Sequence, residues 1–121
     1  MSNLKTIDLK AFVPSKNFKL SKAFYLDFGF TQASDTHGVA FFHCGNSSFF
    51  LQDFYDKSLA ENFMMHLQVE NVTSWHEKLT ESNITEKYGV ILSAITEQPW
   101  GILDFVVSDP SGVLWRIGQN I

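Results

Sequence analysis

Arg116 is the only arginine in the chain, and it lies in an apolar strand that the sequence predicts after a tight turn. The turn is Asp109-Pro110-Ser111-Gly112, in which proline presets the backbone and glycine gives it the freedom to leave the turn. Strand alternation places Arg116 on the same face as Leu114 and on the face opposite Trp115. Because a guanidinium stays protonated, an inward-pointing Arg116 needs an anion or a hydrogen-bonded partner beside it.

Histidine and cysteine do not form a recognisable catalytic or metal-binding motif. Cys44 is the lone cysteine, which excludes an internal disulfide and a cysteine-pair metal motif. His66 is the one histidine that alternation places near a pocket, on the face of Met64, and a hydrogen bond to a strand neighbour is favoured over metal ligation there. His37 and His76 are expected to face solvent. No nucleophile–base motif or phosphate-binding glycine loop is present, so the sequence predicts no catalytic residue.

The composition indicates a single globular domain of 121 residues, 45% of them apolar and 18% charged. The twelve phenylalanines and three tryptophans supply a core and could also supply the aromatic walls of a pocket. A net charge of −4 without a basic stripe argues against nucleic acid as a partner. The sequence has no apolar stretch of about 18 residues and no apolar leader. We therefore expect no membrane partner, and we expect a cytoplasmic location.

The first half of the chain, about residues 4–54, has the pattern strand-helix-strand-strand-strand. Its first strand is predicted over Thr6–Val13. The helix that follows begins after a cap at Asn17 and ends at Gly29, and its apolar stripe is predicted to consist of Leu20, Ala23, Phe24 and Phe28. Three further strands complete this half.

The second half, about residues 62–121, repeats the pattern after a polar linker at about 55–61. Its first strand is predicted over Asn62–Val69, and its helix begins after a cap at Glu70-Asn71. A strand over Glu86–Ala94 and the Ile102–Ser108 strand precede the hairpin strand that carries the arginine. The repeat predicts two similar modules in one domain, 1–121.

Three motifs occur in an order that resembles a known family: Ala23-Phe24-Tyr25 with Phe28-Gly29-Phe30, Pro99-Trp100-Gly101, and the Asp109–Gly112 turn. They are similar to motifs of the vicinal oxygen chelate superfamily, which includes glyoxalase I, extradiol dioxygenases, fosfomycin resistance enzymes and bleomycin resistance proteins. The resemblance implies an α+β fold of two tandem βαβββ modules, whose curved mixed sheets surround a pocket. It also implies a homodimer, because related two-module chains usually pair, in some cases with exchange of modules.

Metal-dependent members of that superfamily take their ligands from the first and last strands of each half. The resemblance places these positions at Asp8, Gln52, Met64 and Arg116. Only Asp8 is a strong ligand for a hard cation, a thioether suits soft metals, and Arg116 would repel a cation. We therefore expect no metal and no cofactor.

Alternation around these positions predicts a pocket with aromatic and apolar walls and a few polar groups. The predicted lining consists of Asp8, Phe50, Gln52, Met64, His66, Gln68, Trp100, Leu114 and Arg116. Phe41, Phe49, Trp75 and Trp115 are instead assigned to the core. Arg116 has three alternatives: it pairs with Asp8 or another pocket carboxylate, it binds an anionic ligand, or it faces solvent.

Such a pocket suits a small-molecule-binding protein, similar to antibiotic resistance proteins, that sequesters a partly aromatic or anionic metabolite or drug. One alternative is a lyase or dioxygenase with a displaced metal site. Another is an interaction module without a small ligand, because the fold alone does not determine function.

Overall fold

Two four-stranded mixed sheets, each packed against helices, form the protein, for which the computed structural model describes residues 2–121. The elements of the first half are β1 Phe12–Pro14, α1 Phe18–Phe28, β2 Thr31–Thr36, β3 Val39–Cys44 and β4 Ser47–Gln52. The elements of the second half are α2 Lys57–Glu61, β5 Met64–Gln68, α3 Val72–Glu81, α4 Ile84–Tyr88, β6 Thr96–Gln98, β7 Ile102–Ser108 and β8 Leu114–Asn120. None of the helices in residues 2–121 is long and apolar enough to cross a bilayer.

The two sheets have the same topology. The first has the strand order β1-β4-β3-β2, and the second has the order β5-β8-β7-β6. In each sheet the first strand of the half lies parallel to the last strand, and the other pairs are antiparallel. This arrangement confirms the predicted α+β fold of two repeated modules.

Local signals in the sequence explain the main helices. The side chain of Asn17 accepts a hydrogen bond from the backbone of Leu20 at the start of α1, and Asn71 caps α3 in the same way. Gly29 ends α1 with φ of 125°, a conformation that side chains disfavour. The predicted stripe of α1 was partly wrong, because Leu20 and Ala23 are exposed. The helix buries Ser21, Phe24, Tyr25 and Phe28.

The first predicted strand is much shorter than its alternating pattern suggested. Only Phe12–Pro14 pairs with β4, and residues 2–11 form no strand. Ile7 and Leu9 are 99% and 93% exposed. Alternation indicates which residues could share a face, but a strand also needs a neighbouring strand to satisfy its backbone groups.

Two segments between the main elements contain structure that the sequence did not predict. The segment 55–61 contains the short helix α2, which Asp56 caps. The predicted Glu86–Ala94 strand is replaced by α4 and an irregular stretch, and strand β6 lies later, at Thr96–Gln98. Tertiary contacts stabilise α4, because Ile84 is buried and the hydroxyl of Tyr88 donates to Asp27 of α1 over 2.6 Å.

A single aromatic core joins the two halves. Tyr25 of α1 lies 4.9 Å from Phe49 of β4 and 5.7 Å from Trp115 of β8, measured between ring centroids. Its hydroxyl donates to Oδ2 of Asp109 over 2.6 Å and accepts from Nε1 of Trp115 over 2.9 Å. Burial raises the pKa of Asp109 and raises that of Tyr25 well above its usual value.

Asp109 also organises the hairpin between β7 and β8. Its Oδ1 atom accepts hydrogen bonds from the backbone nitrogens of Ser111 and Val113, at 2.8 and 2.9 Å. Gly112 has φ of 95°, as the predicted turn requires. The turn therefore fixes the register that places Arg116 on the face opposite Trp115.

Candidate ligand-binding faces

The face of the first sheet opposite α1 carries aromatic side chains. Phe12 and Phe50 are stacked with centroids 4.8 Å apart, and Phe41 lies 5.6 Å from Phe50. Phe12 is 49% exposed. The assignment of Phe41 to the core was wrong, because its neighbour Phe42 is the residue that points under the helix and is buried. We call Phe12, Phe41, Phe50 and the adjacent Gln52 the aromatic face.

A charged pair lies beside the aromatic face. Nζ of Lys10 is 5.7 and 5.9 Å from the ring centroids of Phe41 and Phe50, within the range of cation–π attraction. The same atom is 2.7 Å from Oδ2 of Asp8, which also accepts a hydrogen bond from Ser48. The hydrogen bond from Lys10 is the largest cause of a lowered pKa for Asp8.

The corresponding face of the second sheet, opposite α3, carries the arginine. Strand pairing sets Met64 beside Leu114 and His66 beside Arg116. Asp104 of β7 points to this face, since it lies opposite Gly118 of β8. We call the set Met64, His66, Asp104, Leu114 and Arg116 the arginine face.

Arg116 forms an ion pair with Asp104. Nη1 of Arg116 donates to Oδ2 of Asp104 over 3.0 Å. Asp104 is 3% exposed, whereas the side chain of Arg116 is 33% exposed. Of the alternatives for Arg116, pairing with an internal carboxylate is therefore observed, and the carboxylate is Asp104 rather than Asp8.

The polar groups around this ion pair are closely packed. Gln98 Nε2 donates to the second oxygen of Asp104 over 2.9 Å. His66 Nε2 is hydrogen-bonded to Oε1 of Gln68 at 2.8 Å, which agrees with the favoured interpretation of this histidine. Gly118 permits this packing, because a Cβ atom there would lie 2.9 Å from Cε1 of His66.

A cleft of about 270 Å³ lies where the two halves meet. Asp8 and His66 are the two predicted lining residues that border it. Its other lining residues are Leu9, Phe30, Asn46, Ser47, Ser48, Phe49, Met65, Leu67 and Trp115. The other predicted residues lie on the two faces, except Trp100, which is exposed in the turn between β6 and β7, and Gln68, beside His66.

The four positions that correspond to metal ligands do not form a site for a hard cation. Asp8 is paired with Lys10, and Arg116 with Asp104. Gln52 and Met64 lie on different sheets and offer an amide and a thioether. Within residues 2–121, no three His, Cys, Asp or Glu side chains come close enough together to hold a metal.

The sequence could have identified Asp104 as the partner of Arg116. Counting back from the Asp109–Gly112 turn places Val106 opposite Arg116 and Asp104 one diagonal step away on the same face. A single carboxylate in the apolar strand Ile102–Ser108 was the available signal. Phe12 and Lys10 gave a weaker signal, because their positions depend on where the N-terminal segment leaves the sheet.

The expectation that His76 faces solvent was wrong. His76 is half-buried, and its Nε2 atom is hydrogen-bonded to the carbonyl of Ser93 at 2.9 Å.

Comparison with known proteins assigns the family. Residues 9–117 match the sequence model of the Glyoxalase/Bleomycin resistance protein/Dioxygenase superfamily. The chain belongs to this superfamily. No curated protein matches the sequence of this superfamily member.

Several solved structures are similar to this protein over nearly the whole chain. A bleomycin-binding protein complexed with bleomycin is 24% identical, with a TM-score of 0.82 over 96% of this chain and 100% of that one. An antibiotic-binding protein from Streptomyces sp. CB03234 is 21% identical, with a TM-score of 0.77 over 98% and 100%. A lactoylglutathione lyase from Agrobacterium tumefaciens is 16% identical, with a TM-score of 0.67 over 95% of each chain. At these identities the similarity establishes the fold.

Proposed function

We propose that this protein binds and sequesters a partly aromatic metabolite or drug on the aromatic and arginine faces, without metal chemistry. The observation that carries the proposal is the group of Phe12, Phe41 and Phe50 outside the core, in which Phe12 stacks on Phe50. Partly exposed aromatic side chains that lie together on a surface typically mark a binding site. Flat aromatic ligands stack on such rings and gain from both apolar burial and ring geometry.

The arginine face would supply the polar contacts of this site. Most ligand sites combine apolar walls with a small number of polar groups that fix the orientation of the ligand. Arg116 and His66 offer such groups beside the apolar side chains of Met64 and Leu114. Two superfamily members with this fold, a bleomycin-binding and an antibiotic-binding protein, are consistent with the same type of function.

The paired charges at Asp8 and Arg116 favour binding over metal-dependent catalysis. A lyase or dioxygenase of this superfamily would need a displaced metal site. Stoichiometric uptake of Ni²⁺, Mn²⁺, Zn²⁺ or Fe²⁺, accompanied by lyase or ring-opening activity, would contradict the proposal. The unpaired thiol of Cys44 is compatible with action in the reducing cytoplasm.

The aromatic face is expected to contribute measurable affinity. Replacing Phe12 by alanine should weaken binding of a planar aromatic ligand about tenfold, because a stacking wall of the site is removed. The ligands are 2-acetylnaphthalene and bleomycin, and binding is followed by NMR titration and by tryptophan fluorescence.

The matched control is Leu26→Ala. Leu26 is as exposed as Phe12, at 49%, but lies on α1, away from the proposed site. This variant should bind like the original protein. Equal loss of affinity in both variants, or ligand-induced shifts confined to residues outside the two faces, would refute the proposed site.

We further propose that the protein is a homodimer in which a second copy encloses the ligand on these faces. Apolar side chains at Leu4, Ile7 and Leu9 project into solvent from the N-terminal segment, close in sequence to Phe12 of the aromatic face. Large apolar side chains that are exposed together in this way typically mark an interaction surface. A second copy would bury the segment and enclose a ligand bound on the faces.

Light scattering after size-exclusion chromatography should therefore give about twice the chain mass of 13.8 kDa. The double change Ile7→Asp with Leu9→Asp should shift the protein towards the monomer, because it places carboxylates in the apolar contact. Leu20→Asp, on the exposed side of α1, is the control and should remain dimeric. A monomer at all concentrations would exclude this assembly.

A further inference from the structure

We propose that Asp104 sets the charge selectivity of the arginine face, so that the ligand presents a neutral hydrogen-bond acceptor to Arg116 and not a carboxylate or phosphate. This inference rests on the proposed function and names the chemical class of its ligand. It is based on the ion pair between Arg116, the only arginine of the chain, and Asp104, whose carboxylate balances the charge of the guanidinium.

The charge of Arg116 is compensated at short range. Asp104 is almost completely buried, its Oδ2 lies 3.0 Å from Nη1 of Arg116, and Gln98 occupies its other oxygen. A ligand anion at the exposed side of the guanidinium would also be close to this carboxylate. Because the Coulomb energy falls only as the inverse of distance, repulsion from Asp104 would cancel much of the attraction to Arg116.

Hydrogen-bonding capacity nevertheless remains on Arg116. Within residues 2–121, the bond to Asp104 uses one of the five N–H donors of the guanidinium. One third of the side chain is exposed, so the other donors can reach a ligand. An oriented donor with little net charge suits the carbonyl oxygen of a ketone, amide or quinone, whose hydrogen bond needs no counter-ion.

Lys10, the second cation beside the proposed site, also has its charge balanced by a carboxylate. Lys10 lies over the aromatic face but is paired with Asp8 at 2.7 Å. Each face thus has a positively charged donor whose charge is balanced by an adjacent carboxylate, in a chain with a net charge of −4. A flat aromatic carbonyl compound would therefore meet a balanced donor on either face.

The test uses three ligands with the same ring and different charge: 2-acetylnaphthalene, 2-naphthoate and 2-(aminomethyl)naphthalene. Their affinities are measured by NMR titration of the full-length protein. The original protein should bind the ketone about tenfold more tightly than the carboxylate. Asp104→Asn keeps the size of the side chain but removes its charge, and should raise the affinity ratio of carboxylate to ketone by at least about tenfold.

A second variant, which removes the positive charge instead of the negative one, keeps the test informative if Asp104→Asn does not fold. Arg116→Gln leaves Asp104 uncompensated and should favour the amine over the ketone. The double variant Asp104→Asn with Arg116→Gln, which removes both charges, should keep a ketone preference close to that of the original protein.

The possible outcomes distinguish a failure of the proposed charge selectivity from a failure of the proposed ligand binding. If the original protein prefers the carboxylate, or if neither single variant changes the ratios, the role of Asp104 is excluded while ligand binding stands. If none of the three compounds perturbs residues of either face, the proposed binding function fails, and the charge selectivity fails with it.

Discussion

Replacing Phe49 by alanine is expected to lower the free energy of unfolding by about 4 kcal/mol, whereas the same change at Phe50 should cost less than about 1.5 kcal/mol. The two residues are neighbours on β4 and point to opposite faces of the sheet. Phe49 is buried among Tyr25, Phe30 and Trp115, with ring centroids 4.9 to 5.3 Å away. Its loss would leave a cavity that the surrounding rings cannot fill.

The measurement is denaturant unfolding followed by tryptophan fluorescence. Protein concentration should be the same for all variants, because association would add to the apparent stability. Phe50→Ala is the control, because it makes the same replacement on the same strand and so changes the strand propensity by a similar amount. Equal losses in the two variants would mean that Phe50 belongs to the core, and the aromatic face would then lose its basis as a binding surface.

Removing the hydroxyl of Tyr25 should have the second-largest effect. Tyr25→Phe should destabilise the fold by about 3 kcal/mol at neutral pH, because two buried groups lose their partner at once. Asp109 loses the hydrogen bond that Tyr25 donates, and the indole N–H of Trp115 loses its acceptor. The control is Tyr88→Phe, which removes a single, partly exposed bond to Asp27 and should cost about 1 kcal/mol.

The cost of Tyr25→Phe should depend on pH in a defined direction. The hydrogen bond from Tyr25 lowers the pKa of Asp109, while burial raises it, so the variant should have a still higher pKa in the folded state. A group with a raised folded pKa favours folding as it takes up a proton, so the loss of stability should shrink as the pH falls through that pKa. Unfolding at pH 7.5 and at pH 5 tests this point. A small loss that does not change with pH would contradict the role given to the hydroxyl.

The sequence predicted elements well where local chemistry determines them. The turn at Asp109–Gly112 specified the hairpin, and alternation from it correctly separated Trp115 from Arg116. Asn17 and Asn71 marked the helix starts because their side chains cap the first turn. These signals act within a few residues and depend little on the rest of the fold.

The errors arose where distant contacts decide the structure. The Thr6–Val13 pattern alternates like a strand, but its first part has no neighbouring strand among residues 2–121. Residues 86–94 became helix and loop because α4 is anchored to Asp27, far away in sequence. The partner of Arg116 required cross-strand register, which a reading of one strand alone does not provide.

The shared hydrogen bonds of Tyr25 with Asp109 and Trp115 also bear on how the molecule came to be one unit. The two halves repeat the same topology, but the phenol of Tyr25 in the first half is hydrogen-bonded to two residues of the second half. It donates to Asp109 in the turn and accepts from the indole of Trp115. The repeat is therefore not two autonomous building blocks, because the buried phenol, carboxylate and indole satisfy one another only across the two halves. Any ancestral half-length chain would have needed a partner chain to supply the missing groups. Fusion of two such copies would have converted that association into a single folding transition.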